Sequence, residues 1–185
     1  MNLFEEAIMS AFKLSAGEKF PAMSVAKFGG GELQLGKPAE GCDWQMVIVY
    51  RGKHCPLCTH YLKELNPLLA AYNELGVDVV AVSSDTEERA KEQLALVEPE
   101  FAVGFGLTVE QMKALGLYIS TPRPQESDSV FAEPGLFIIN GDGNLQVVDI
   151  SNTPFTRPNL ESIINGIRFI RNPDNNYPIR GTFTE

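Results

Sequence analysis

The chain has 185 residues, 44% of them apolar and 21% charged, which is the composition of one folded domain and not of a disordered or fibrous chain. Its 24 acidic against 15 basic side chains leave a net charge of −9, which argues against nucleic acid and anionic lipid as partners. No stretch nears the ~20 apolar residues of a membrane span. The opening MNLFEEAIMSAFKL carries two early glutamates and no basic leader, so no signal peptide is expected and the cytoplasm is the expected location.

Taken in chain order, Leu3, Phe4, Ala7, Ile8 and Phe12 form a helical stripe over Asn2–Leu14, read as an appended helix that Gly17 ends. The run Gly29-Gly30-Gly31 and the alternation Leu33-Gln34-Leu35 predict a short hairpin. Gln45–Tyr50, QMVIVY, reads as a strand buried on both faces. Helical periodicity then runs from Cys55 to Tyr72, with Pro67 predicting a kink near Asn66. Val77–Val82 is a second buried strand, followed by a helix to about Leu96 with Ser84 or Asp85 as its expected cap. Phe101–Leu107 reads as a short strand, and Thr108 as the cap of a brief helix ending at Gly116. After a polar loop over Pro122–Asp128, Leu136–Ile139 and Leu145–Ile150 flank the turn Asn140-Gly141-Asp142-Gly143-Asn144, a strong hairpin signal. Leu160, Ile163, Ile164 and Ile167 mark a final amphipathic helix with Pro158 in its first turn, and the tail from Arg171 reads as loose or surface-bound.

This order predicts an α/β domain of thioredoxin-like fold: a central mixed sheet with helices on both faces, plus the N-terminal helical extension. The divisions expected are 1–16 for the extension, 17–170 for the domain and 171–185 for the tail.

The chemistry centres on Cys55-Pro56-Leu57-Cys58, set between a buried strand and a long helix. Residues three apart in a first helical turn share a face, and their separation suits a disulfide. Amides at a helix start stabilise a thiolate, so the pair reads as a redox dithiol. The thiol at the helix start is expected to be the more exposed. His54 adjoins the pair and could steady a thiolate when charged, or exchange a proton. Inert buried thiols are one alternative; half of a zinc site is the other, with Cys42 and His54 or His60 as further ligands, but the spacing across a central strand is awkward for it. Cys42, the third cysteine, reads as a small buried or half-exposed side chain before it reads as a resolving thiol. Arg51, Lys53, Arg157, Arg168, Arg171 and Arg180 are scattered in sequence, though some could converge in space.

Asp43–Leu62, DWQMVIVYRGKHCPLCTHYL, resembles the redoxin stretch of the alkyl hydroperoxide reductase and thiol-specific antioxidant (peroxiredoxin-like) family of the thioredoxin superfamily. Gly17–Met23 is similar to that family's opening strand and Leu136–Gly143 to its late hairpin. Arg51-Gly52 with Cys55-Pro56-x-Cys58 matches an atypical CPxC branch. The resemblance gives the peroxide-meeting role to Cys58, at the last position of the family's Pro-x-x-x-Thr-x-x-Cys motif. Arg51 stands at its proline and Cys55 at its threonine. The family's second arginine falls on Pro134, with Arg123 further upstream. Set beside thioredoxin, Cys55 attacks and Cys58 resolves, Pro134 takes the place of the cis-proline loop, and Val49 stands where an acid is usual.

The nucleophile thus stays open between Cys58 and Cys55, with His54 and Pro134 as supporting site residues and a cis Glu133–Pro134 bond expected. The resemblance implies a thiol-dependent antioxidant enzyme that reduces peroxides through a dithiol/disulfide cycle. A protein disulfide reductase and a non-enzymatic redox sensor or binding protein are the alternatives. No metal or organic cofactor is needed. The implied partners are a hydroperoxide or protein disulfide as substrate and an external thiol reductant, such as a thioredoxin-type protein or glutathione. Whether two copies pair is left open.

Overall fold

The structure is a computed structural model and describes residues 13–184. The helix expected over Asn2–Leu14 lies outside these residues, except for Lys13 and Leu14, which are not helical.

One sheet holds seven strands: β1 (Met23–Lys27), β2 (Glu32–Leu35), β3 (Trp44–Val49), β4 (Val77–Val82), β5 (Ala102–Phe105), β8 (Gly135–Ile139) and β9 (Leu145–Ile150). Their order is β2-β1-β5-β4-β3-β8-β9. β3, β4 and β5 are parallel, while β8 and β9 close one side and β1 and β2 the other in antiparallel fashion. β6 (Ile119–Ser120) and β7 (Phe131–Ala132) form a separate antiparallel pair. The expected mixed sheet is therefore present, and it is open.

Alternation along β3 splits the core in two. Met46 and Ile48 face one side with α1 (Pro56–Leu65), α2 (Leu69–Glu74), α3 (Glu87–Val97) and α5 (Leu160–Arg171). Val47 and Val49 face the other, where α4 (Val109–Ala114) packs Met112. Both faces of β3 are covered, which is why QMVIVY is apolar without a polar alternation. Among the described residues no helix is long and apolar enough to cross a membrane.

Pro67 breaks the long helix as expected: a 3₁₀ turn over Asn66–Leu68 separates α1 from α2. Thr108 caps α4 and forms a capping box with Gln111. One expected cap and one expected first-turn residue differ. α3 is capped by Thr86, whose hydroxyl accepts from Arg89 N, so neither Ser84 nor Asp85 holds that place. Asp85 is buried and turned toward the loop before the cysteines instead. α5 is capped by Asn159, leaving Pro158 ahead of the helix with its carbonyl accepting from the Tyr61 hydroxyl. The tail is surface-bound: Tyr177 packs edge-on against Phe169 with ring centroids 5.4 Å apart, and Asn175 Nδ2 donates to the Phe169 carbonyl at 2.8 Å.

Candidate active site

β3 delivers the chain at Tyr50 into the loop Arg51–His54, and α1 begins at Pro56. Proline suits a first helical turn because its missing amide would have no partner there. Cys55 is the N-cap: its Sγ accepts from Cys58 N at 3.2 Å. Cys55 and Cys58 are joined by a disulfide with Cα atoms 5.2 Å apart. The expected contrast in exposure is absent: Cys55 is 2% exposed and Cys58 0%. Leu57, between them, takes the solvent position at 48%. A helix start docked onto the sheet encloses both sulfurs.

The loop is pinned from below. Asp85 accepts from Lys53 N at 2.7 Å through Oδ2 and from Arg89 Nε at 3.0 Å through Oδ1. Arg51 pairs with Glu133 at 3.2 Å and Glu126 at 3.3 Å, both carboxylates being nearly enclosed. Glu126 also takes Arg123, which holds its carboxyl down to about 2. Arg123 is thus occupied and exposed, and does not reach the cysteines.

His54 adjoins the pair in sequence, but its ring packs on Phe131 at 4.5 Å between centroids and both ring nitrogens are buried without hydrogen bonds. Burial, then the Arg51 cation, push it below the usual histidine range. That direction disfavours the charged form over the neutral one. Pro134 borders the site, but the Glu133–Pro134 bond is trans, since no described peptide bond is cis. The chain around it is extended and already bonded on both sides: Glu133 N donates to the Tyr118 carbonyl, and the Pro134 carbonyl accepts from Ser151 N. A trans bond carries that extended path straight from β7 into β8.

The residue the sequence did not single out is Arg157. Its Nη2 donates to Cys58 Sγ at 2.7 Å and its Nη1 lies 3.5 Å from the Leu57 carbonyl. The guanidinium stacks over Tyr61 at 5.0 Å, forms no ion pair with a described carboxylate, and keeps a buried, unpartnered Nε. Burial lowers it to about 10, so it remains a cation at neutral pH. Its only sequence signal is its place between the late hairpin and an amphipathic helix that must return to the sheet.

Cys42 lies before β3, whose six residues span roughly 20 Å, so it sits at the far end of the strand from Cys55. Burial and the neighbouring Asp78 and Asp43 raise its thiol above the ordinary value. A disulfide needs Cα atoms within about 7 Å. Peptide mapping after mild oxidation should therefore show Cys55 linked to Cys58 and Cys42 free; a dominant link to Cys42 would contradict the geometry. Among the described residues no three His, Cys, Asp or Glu side chains gather as metal ligands.

A thioredoxin-like sheet with a CxxC disulfide at the start of the helix that follows β3 defines the thiol oxidoreductase class. Within that class the sequence profile of the AhpC/TSA family matches residues 16–148, and the chain belongs to that family. The fold is similar to a peroxiredoxin-like protein from Aquifex aeolicus (TM-score 0.69, 21% identity, covering 85% of this chain and 88% of that one). It is also similar to Mycobacterium tuberculosis AhpC (0.71, 14%, 88% and 96%). Reduced 2-Cys peroxiredoxin of Plasmodium vivax matches as well (0.69, 17%, 87% and 84%). A search of curated proteins gave no match.

Proposed function

We propose that the protein is a thiol peroxidase in which Cys58 is the attacking thiolate and Cys55 the resolving thiol. The observation that carries this reading is the Arg157 guanidinium on Cys58 Sγ. Each sulfur has one donor: a neutral amide at 3.2 Å for Cys55, a full cation at 2.7 Å for Cys58. Hydrogen bonds to charged groups contribute about twice as much as neutral ones. On reduction, Cys58 is therefore the sulfur that keeps its negative charge.

The thiolate attacks one peroxide oxygen, the O–O bond breaks, and the departing oxyanion takes up a proton. Cys58 becomes a sulfenic acid, oxidised by two electrons. The Cys55 thiol then displaces that hydroxyl, water leaves, and the disulfide forms. An external thiol reductant, such as a thioredoxin-type protein or glutathione, returns two electrons and two protons. No step calls for a metal or organic cofactor. Pro134 walls the site and His54 supports the Phe131 side of it. The cytoplasm is the proposed location.

Disulfide reductase activity is the second reading, favoured by the amide on the Cys55 sulfur. Against it, both sulfurs are enclosed, and a protein disulfide must reach them through an opening that a peroxide does not need. Peroxide consumption by the reduced protein, run beside insulin reduction, separates the two. Oxidation much faster than that of free cysteine, with little insulin turnover, is expected. The reverse pattern would establish the reductase, and neither activity would leave a sensor or binding protein.

A further inference from the structure

Peroxide reduction needs a proton on the departing oxygen, and the register of the sheet points to its source. Asp149 of β9 lies opposite Leu136 of β8, and Leu136 opposite Ile48 of β3. Opposed residues of antiparallel strands share a face. This face carries Cys55 and Cys58. Ile48, Leu136 and Asp149 line a cavity of about 10 Å³ that Arg157, Tyr61 and Pro134 also border. That is room for about one water molecule or one small oxygen group.

Arg157 thus joins the cavity to the Cys58 sulfur. The Tyr61 hydroxyl already donates to the Pro158 carbonyl, and burial makes it a weaker acid than an ordinary phenol, so it is not the group that gives up the proton. Asp149 is half-buried and forms no ion pair among the described residues. Burial holds its carboxyl above the usual carboxylate range. Once the disulfide is reduced, the Cys58 thiol lies on Arg157 and the Asp149 carboxyl lines the same small cavity, while the Glu133 carboxylate already acts on that guanidinium. Ionising both acids would put surplus negative charge around one partly buried cation, so the pair keeps one proton between them.

We propose that Asp149 holds this proton while Cys58 is the thiolate, and gives it to the oxygen that leaves. The inference rests on the peroxidase reading. Cys58 Sγ bonds to one peroxide oxygen as the O–O bond breaks, and the Asp149 proton moves to the departing hydroxide or alkoxide, which leaves as water or alcohol. Sulfur loses two electrons and the peroxide gains them. Asp149 ends as the carboxylate and takes up a proton again when the disulfide is reduced.

The test compares two oxidants in single turnover on the reduced full chain, wild type and Asp149→Asn. Hydrogen peroxide expels strongly basic hydroxide, whereas peracetic acid expels acetate, which needs no proton. The variant should lose about a hundredfold in rate with hydrogen peroxide and stay within about threefold with peracetic acid, since a general acid matters only for the basic leaving group. An equal loss with both oxidants, or no loss with either, overturns the proposal; the peracetic acid arm also reports whether the variant site is intact. A wild type no faster than free cysteine with either oxidant overturns the peroxidase reading itself, and so separates that failure from this one.

Discussion

Replacing Arg157 with methionine is expected to slow oxidation of Cys58 by peroxide about a hundredfold, the usual loss when one donor is removed from developing or resting negative charge. The donor sits 2.7 Å from Cys58 Sγ. A hydrogen bond to an ionised group contributes about 1.5–3 kcal/mol, equal to about one to two pKa units on the thiolate. Removing it raises the Cys58 pKa, so the rate at neutral pH falls both through a smaller thiolate fraction and through weaker support of the departing oxygen. Lysine keeps a charge but loses the planar fork and should restore only part. Ultraviolet titration of the thiolate follows the first effect and single-turnover kinetics the second. The oxidised variant should keep its melting temperature, because Arg157 is a buried cation with no carboxylate partner and methionine fills similar space. An unchanged thiolate titration would show that Arg157 does not act on Cys58.

Gly52→Ala is expected to destabilise the protein by about 3 kcal/mol, combining backbone strain with a steric clash. Gly52 has φ +129°, a region side chains rarely enter, and a Cβ there would lie 2.7 Å from both carboxylate oxygens of Asp85. Asp85 is only 5% exposed and is held by Lys53 N and Arg89, so it has nowhere to retreat. For a chain of this size the melting temperature should fall by roughly 6–12 °C. Peroxide reactivity should fall as well, because the Gly52 carbonyl accepts from Cys55 N at 3.1 Å and the loop sets where the cysteine begins the helix. Thermal unfolding of the variant checks the first effect; a shift under 2 °C, against the ~2–4 °C that each kcal/mol brings, would contradict the described loop.

Much of the fold was legible because it follows from local rules. QMVIVY declares a strand covered on both faces, and Pro67 removes a donor inside a helical run. Asn140–Asn144 supplies turn residues between two apolar strands, and Thr108 is a ready cap ahead of a short helix. The Cys55–Cys58 pair was legible for the same reason, a spacing of one helical turn placed after a buried strand. What escaped depends on contacts distant in sequence. Arg157 stands 99 residues from Cys58, and nothing in its own neighbourhood points at a sulfur. Asp85 read as a cap because a polar residue before a helix usually is one, but the loop at Gly52 and Lys53 claims it instead. His54 read as a neighbour that could steady a thiolate or exchange a proton from adjacency alone, whereas its ring packs on Phe131 and burial disfavours its charged form. The trans bond at Pro134 likewise reflects pairing on either side of the proline, which no dipeptide reports.

The central claim is that Cys58 is the thiolate that meets peroxide, and trapping of the sulfenic acid tests it most directly. Reduced Cys55→Ser and Cys58→Ser proteins are each given one equivalent of hydrogen peroxide in the presence of a sulfenic-acid trap, and the adduct is located by mass spectrometry. Rapid labelling of Cys58 in the Cys55→Ser protein, with Cys58→Ser reacting no faster than free cysteine, is the predicted result. Rapid labelling of Cys55 in the Cys58→Ser protein, with Cys55→Ser inert, would contradict the account and make Cys55 the nucleophile.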